Sequence, residues 1–190
     1  PEDWNELQRE LCQSNYRRLA ATGLAEEARQ SGDAEAEKRW LTHVLDDIDA
    51  CLTIVAMLVA NNIPAQVDAA FKPTLMYHRA HTLSRYFVLT GEVDDAIEAL
   101  RGGERRLMRY LREIGAETDA RENDQAIRAL RDVEQELRGA YGIRKTLAER
   151  LADAVANEDF EVAARLRDEL HSRRRNRPPC RRTRPHAAHR

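Results

Sequence analysis

Two histidines, His78 and His81, have the greatest potential for metal chemistry, because they stand three residues apart in a predicted helix. This spacing lets both imidazoles face one side, where a nearby carboxylate could complete a metal site. No Glu-x-x-His pair and no cysteine partner accompanies them. The sequence therefore favours two ordinary histidines at the surface or the edge of the core, and the isolated His43 is interpreted in the same way.

Signals for catalysis are equally sparse. Asp94 and Asp95 are adjacent, but they suit the first turn of a helix, where the helix dipole favours negative charge. The chain contains no dinucleotide-binding glycine motif, no phosphate-binding Gly-Lys-Ser/Thr loop and no Gly-x-Ser-x-Gly elbow. Gly102-Gly103 lies within a helical pattern and is predicted to ease close packing. We therefore predict a protein that is not an enzyme, with no catalytic residue, no metal and no cofactor.

The end of the chain is strongly basic. Eight arginines and no acidic residue lie between His171 and Arg190, whereas the preceding residues hold 23 Lys and Arg against 33 Asp and Glu. Such arginines could neutralise nucleic-acid phosphates without reading sequence, although no aromatic residue is present for base stacking. A disordered, solubilising tail is the favoured alternative. The candidate nucleic-acid contacts are Arg173, Arg174, Arg175, Arg177, Arg181, Arg182 and Arg184.

Residues 143–172 have the pattern of two short helices folded back on each other. Apolar residues recur at helical spacing on both sides of Asn157-Glu158-Asp159-Phe160. Asn157 can close the first helix and Asp159 can cap the second. An isolated hairpin this short cannot bury its own apolar face well, so the pattern predicts a docking element. The apolar positions are Ile143, Leu147, Leu151, Ala154 and Val155, then Val162, Ala163, Leu166 and Leu170.

The run Asn157-Glu158-Asp159-Phe160-Glu161, followed by Ala163-Ala164 and Leu166-Arg167-Asp168-Glu169, resembles the UVR motif. That motif is the helical hairpin through which the UvrB and UvrC proteins of bacterial excision repair meet. The resemblance implies protein–protein docking, with Phe160 packed inside the hairpin. Similar hairpins occur in adaptors of ClpC-type chaperones, and the segment could also be only the last helical pair of the domain. The predicted partner contacts are Leu147, Leu151, Val155, Phe160, Ala163, Leu166, Arg167 and Leu170.

Five further helices are predicted before the hairpin, and no run has strand periodicity. Their ranges are Asp3–Gln30, Ala34–Asn61, Gln66–Leu89, Val93–Ile114 and Arg121–Arg138, with an interruption or late start of the third at Pro73. We predict an all-α fold of antiparallel helical hairpins, which form a repeat-like bundle. The bundle covers residues 1–140, the UVR-type hairpin 143–175 and the disordered tail 176–190.

The first two helices show which faces should be buried. The second half of the second helix is apolar nearly all round and is expected at the centre of the bundle. The sequence around Leu83–Gly91 echoes Leu24–Gly32 and resembles tetratricopeptide-like hairpins, although Glu37 stands where Ala96 stands in the second pair. The offset between the two is 59 residues, longer than the ~34 of tandem repeats of that kind. The predicted apolar side of the first helix is Trp4, Leu7, Leu11, Tyr16, Leu19 and Leu24.

Cysteine usage and hydropathy indicate the cellular compartment of the protein. Three widely spaced cysteines, Cys12, Cys51 and Cys180, argue against a disulfide framework, and no Cys-x-x-Cys pair suggests zinc. The most apolar run, Cys51–Ala60, is too short to span a bilayer, and no signal peptide is recognised. We predict a bacterial, cytoplasmic protein that docks on another helical-hairpin protein or on a second copy of itself, as a homodimer. The alternative is a DNA-repair accessory factor that contacts nucleic acid through the arginine-rich tail.

Overall fold

A computed structural model describes residues 2–61, 65–116 and 124–175 of the chain. These ranges contain seven α-helices and no strand, so the all-α prediction is confirmed. The helices are α1 (Glu2–Ser31), α2 (Ala34–Ala60), α3 (Ala65–Leu89), α4 (Val93–Glu113), α5 (Gln125–Tyr141), α6 (Leu147–Ala156) and α7 (Phe160–Arg175).

Two helix boundaries differ from the predicted ones. α3 continues through Pro73, so the expected interruption is wrong. The fixed φ of proline suits a helix, although its ring removes one backbone hydrogen bond and crowds the carbonyl four residues earlier. α6 begins at Leu147 rather than near Ile143, and the predicted start of the fifth helix at Arg121 lies outside the described residues. No described helix is both long enough and apolar enough to cross a membrane.

The α1–α2 and α3–α4 hairpins share one turn geometry. Gly32 and Gly91 both have a φ of +76°, which a side chain would disfavour. In each turn the next N–H donates to a carbonyl five residues earlier, over 2.9 Å from Asp33 and 2.8 Å from Glu92. This is the usual closure of a helix by a left-handed residue. The 59-residue echo in the sequence therefore corresponds to two hairpins with matching turns.

The buried face of α1 is only partly the one predicted, since Leu11 is buried and Leu7 packs against the core. Tyr16 is 72% exposed, and Leu19 and Leu24 are exposed as well, whereas the side chain of Trp4 lies outside the described residues. Three alanines, four and three residues apart, face inward instead, and their small size lets α1 lie close to α2. The buried residues of α1 are Leu11, Ser14, Arg18, Ala21, Ala25 and Ala28.

α2 is buried on one side only. Its second half was expected at the centre of the bundle, but only one side of that half is buried, through Ile54, Val55 and Leu58, while Met57 and Val59 are exposed. The reason is that α2 contacts α1 and α3, which cover only part of its circumference.

Glu37, which stands where the second hairpin has Ala96, is buried and forms an ion pair. Its carboxylate is only 5% exposed and accepts a 2.5 Å hydrogen bond from Nη2 of Arg85 on α3. Arg85 also lies 3.6 Å from Glu26 on α1. A buried carboxylate requires such a partner, since an unpaired charge there is strongly destabilising. The pair therefore ties the first hairpin to the second.

A second core joins α3, α4 and α5, and it depends on a close helix crossing at Gly103. A Cβ at Gly103 would lie 2.3 Å from Cβ of Ala80 and 3.3 Å from Cδ1 of Leu130. The predicted role of this glycine in close packing is therefore confirmed. The buried members of this core are Ala80, Leu100, Leu107, Ile127 and Leu130.

We expect Gly103→Ala to destabilise the protein by about 1–3 kcal/mol, because α3 and α4 must separate to admit the methyl group. The matched control is Gly23→Ala on α1, where a Cβ would meet no atom within 4 Å. That change should stabilise the helix by about 1 kcal/mol. Urea unfolding followed by circular dichroism measures both, and equal effects at the two sites would contradict the packing argument.

Candidate docking hairpin

Local sequence signals define the hairpin formed by α6 and α7. Thr146 and Glu149 form a capping box: the Glu149 N–H donates to the threonine hydroxyl over 3.2 Å, and the Thr146 N–H donates to the glutamate over 2.7 Å. At the other end Asn157 closes α6, and Asp159 accepts a 3.1 Å hydrogen bond from the Val162 N–H. The predicted roles of Asn157 and Asp159 at the turn are confirmed.

The turn itself contains an unusual backbone. Glu158 has a φ of +58° and is the only non-glycine residue with positive φ in the described part of the chain. The N–H of Asp159 donates to the Ala154 carbonyl over 2.8 Å, which is the same closure as at Gly32 and Gly91. The hairpin is therefore closed by the usual helix-ending geometry, with a glutamate in the position where glycine is preferred.

Most of the apolar residues predicted to contact a partner pack against each other inside the hairpin. Leu147, Ala163 and Leu166 are buried there together with Ala154. Leu151 and Leu170 are half-buried against the same cluster. The hairpin therefore covers most of its large apolar side chains itself, contrary to the expectation for so short a segment.

Three of the predicted partner contacts remain exposed. Val155 is 55% exposed and Phe160 70% exposed, while Arg167 is exposed and, among the described residues, pairs with its exposed neighbour Asp168 alone. The expectation that Phe160 packs inside the hairpin is wrong. Helical side chains lean toward the N-terminus, and Phe160 is the first residue of α7, so no preceding turn of that helix lies beneath its ring.

Val155 and Phe160 flank the turn, and we call residues 155–160 the hairpin tip. Every residue of the tip is exposed. Two apolar side chains stand there beside the carboxylates of Glu158 and Asp159. The tip thus combines unburied apolar surface with negative charge at the point of the hairpin where the turn joins its two helices.

The hairpin is attached to the body through polar contacts that centre on Glu149. Its carboxylate lies 2.9 Å from Arg101 of α4 and 2.9 Å from Arg138 of α5. The buried hydroxyl of Thr146 donates a 2.8 Å hydrogen bond to Glu98 of α4. Burial raises the pKa of Glu149, but the Thr146 N–H and the two arginines outweigh it, so that the pKa is lowered overall.

The basic tail begins as part of this structure. Arg173 lies on α7 and pairs with Asp94 of α4 at 3.0 Å and with Glu169 at 2.9 Å. The side chains of Arg174 and Arg175 and the remaining predicted contacts, Arg177, Arg181, Arg182 and Arg184, lie outside the described part of the chain. The one described tail arginine therefore anchors the end of α7 to the body.

The two histidines considered for metal binding lie beside Tyr77. Its ring is 5.2 Å from that of His78 and 5.9 Å from that of His81, measured between centroids. Burial and neighbouring positive charge lower the pKa of both histidines. Among the residues that the structure describes, no three His, Cys, Asp or Glu side chains are grouped so that they could hold a metal ion.

Comparison with known proteins assigns the hairpin but not the body. The family model described as the UvrB/uvrC motif, UVR, matches residues 143–172. No curated protein and no solved structure matches the chain. The chain therefore carries a UVR motif on the segment whose residues resemble it, and this motif is associated with protein interaction and DNA repair.

We expect the Glu149 contacts to make stability depend on pH. A lowered pKa in the folded state means that this contribution is present above the usual glutamate value of 4.5 and is lost as the pH falls through the lower folded value. The difference in unfolding free energy between wild type and Glu149→Gln should therefore shrink below pH 4.5.

Urea unfolding at a series of pH values measures this difference. The matched control is Glu161→Gln, which removes an exposed carboxylate that forms no ion pair with a described residue. A wild-type advantage over Glu149→Gln that stays constant down to acid pH would show that the carboxylate does not stabilise the joint.

Proposed function

We propose that the protein is a non-enzymatic adaptor of the bacterial cytoplasm, which docks on a partner through the tip of its UVR hairpin. The observation that carries the proposal is the exposure of Val155 and Phe160 on a hairpin whose other large apolar residues are buried or half-buried. Isolated exposed apolar residues are common. An aromatic ring and a valine on either side of one turn, within a motif associated with protein interaction, favour a contact surface.

Phe160 is the expected anchor of the interface. Burying a phenylalanine side chain contributes about 1.5–3 kcal/mol, and binding energy usually concentrates in a few such anchors. The hairpin core formed by Leu147, Leu166 and their neighbours then acts as a support that fixes the ring in place. This role differs from the direct partner contact predicted for these leucines from the sequence.

The charge of the tip restricts the geometry of the complex. Glu158, Asp159 and Glu161 place negative charge around Phe160, so a partner should offer an apolar socket bordered by Lys or Arg. In a homodimer, tip-to-tip contact would oppose like charges, which is unfavourable. An antiparallel arrangement would instead bring each acidic tip toward the basic residues of the other α7, such as Arg165 and Arg167. The partner is therefore another helical hairpin or a second copy in antiparallel orientation.

We expect Phe160→Ala to weaken partner binding at least tenfold, which corresponds to about 1.4 kcal/mol, while the unfolding free energy changes little. The matched control is Tyr16→Ala on α1, whose ring is 72% exposed, like the 70% of Phe160. Sedimentation velocity measures self-association. Affinity capture measures binding to other proteins, with the full-length wild type and point variants compared with a chain that lacks residues 143–172. Equal binding by Phe160→Ala and wild type would refute the proposal.

A second candidate is a DNA-repair accessory factor, favoured by the association of the UVR motif with repair and by the basic end of the chain. In this proposal the tail binds phosphates while the hairpin binds a repair protein. Because Arg173 pairs with Asp94, the contacts are expected from the arginines beyond α7.

Deletion of residues 176–190 tests the tail. If its five arginines contact phosphates, deletion should weaken DNA binding and reduce the slope of log K against log salt by about 4–5. Replacing the same arginines by lysine should leave binding largely intact, since the charge is kept. Titration of a labelled DNA duplex at several salt concentrations provides the measurement, and unchanged binding after deletion would exclude the tail.

A further inference from the structure

The exposed side of α4 carries a row of arginines that the docking proposal does not use. Arg105, Arg109 and Arg112 recur at intervals of four and three residues, which places them on one side of the helix. Arg106 is exposed beside them. We call these four residues the α4 arginine face. It is distinct from the hairpin tip and from the tail.

These arginines are poorly compensated by acidic residues. The side chains of Arg106, Arg109 and Arg112 form no ion pair or hydrogen bond with a described residue, and the side chain of Arg105 has only one such contact among the described residues, with Glu98 at 3.8 Å. Glu98 is already engaged by Arg101 at 3.2 Å and by the Thr146 hydroxyl. The body as a whole is acidic, so this local excess of positive charge contrasts with its surroundings.

Two of the guanidinium groups converge on the bare backbone of Gly102. The point where a Cβ would stand at Gly102 lies 3.7 Å from Nη2 of Arg106 and 3.9 Å from Nη2 of Arg105. Although Arg106 is exposed as a residue, partial desolvation of its guanidinium and the positive charges of Arg79 and Arg105 lower its pKa, and Asp49 opposes them. Asp49 is hydrogen-bonded to Arg79, so its negative charge offsets the repulsion among these arginines only partly. Like charges gathered in this way are stabilised when an anion binds between them.

An open groove of about 380 Å³ runs along the same side of α4. Its only acidic lining residue is Glu104, whose carboxylate lies 2.7 Å from Arg131 of α5 and is thereby compensated. The lining residues are Arg101, Glu104, Arg105, Met108, Arg109 and Arg112. The groove thus presents several guanidinium groups on one side of α4.

We propose that the α4 arginine face binds the sugar-phosphate backbone of nucleic acid without reading its sequence. A guanidinium group can donate two parallel hydrogen bonds to the oxygens of one phosphate, and arginines three or four residues apart are spaced by about 4.5–6 Å along the axis of a helix. Such a row suits a linear polyanion with regularly repeated charges. No aromatic residue lines the groove, so base stacking contributes nothing to the contact.

Two other anionic partners fit less well. A membrane-surface helix inserts an apolar face among the lipids, but the apolar face of α4 is buried in the core through Ile97, Leu100 and Leu107. An acidic protein would offer carboxylates at irregular positions rather than a repeated charge. The regular row of arginines and the absence of an exposed apolar stripe on α4 therefore favour nucleic acid.

The test compares full-length Arg105→Gln/Arg109→Gln/Arg112→Gln with a control that removes equal charge elsewhere. The control is Arg9→Gln/Arg39→Gln/Arg150→Gln, which changes exposed arginines on α1, α2 and α6. The probe is a labelled DNA duplex of mixed sequence, titrated between about 50 and 200 mM salt. The α4 variant should bind at least tenfold more weakly, with a salt slope smaller by about 2–3, while the control keeps most of the wild-type affinity.

Two further variants identify the source of any loss. Arg105→Lys/Arg109→Lys/Arg112→Lys should retain most binding, because the charge is kept, and circular dichroism of the glutamine variant should show an intact helical fold. A chain lacking residues 176–190 should keep the part of the affinity that depends on α4. Docking measured through Phe160 should be the same in all of these proteins, so failure here is distinguishable from failure of the docking proposal.

The opposite results overturn the proposal. These are unchanged DNA affinity in the α4 variant, an equal loss in the control, or no binding of wild type to DNA at low salt. Binding of wild type to vesicles of mixed phosphatidylserine and phosphatidylcholine, with none to DNA, would assign the surface to a membrane instead. Complete loss of DNA binding on tail deletion alone would assign the contact to the tail.

Discussion

The position of the hairpin on the body depends on one carboxylate. Glu149 accepts the N–H of Thr146 within its own capping box and pairs with Arg101 and Arg138 on two other helices. The same carboxylate thus caps the N-terminus of α6 and connects that helix to α4 and α5. Partly buried ion pairs of this kind contribute modestly to stability, but their geometry is specific. The joint therefore fixes where the hairpin sits without an extended apolar interface.

This polar joint leaves the hairpin structurally self-contained. Its core is formed by residues of α6 and α7 alone, including Leu147 and Leu166, and the contacts to the body are ion pairs and hydrogen bonds. The tip consequently stays free of the body, with Phe160 in solvent. α4 connects the two proposed surfaces, since Glu98 and Arg101 near its start hold the hairpin and the arginine face follows directly. A partner at the tip and a polyanion on α4 would therefore be held in a defined relation by one helix.

The helices, their turns and the UVR motif could be predicted from the sequence, because periodicity and capping residues act locally. Gly32, Gly91 and Asp159 specify their turns without help from distant residues. The inward face of α1 could not be predicted by hydrophobicity, since alanines that permit close approach are buried while Tyr16 and Leu19 are exposed. The joint at Glu149 could have been found in part, because Thr146-x-x-Glu149 is a capping box in the sequence. Its pairing with Arg101 and Arg138 could not, since it depends on how three helices are arranged.

The backbone conformation of Glu158 makes the turn of the hairpin less stable than the other helix ends that glycine closes. A side chain in the left-handed conformation costs about 1–2 kcal/mol, a strain that glycine avoids at the other helix ends. The last turn of α6 should therefore fray more readily than the glycine-closed ends of α1 and α3, and its amide protons should exchange sooner with solvent. A partner would then meet a segment that can adjust its backbone on contact, while the leucine core behind it stays rigid.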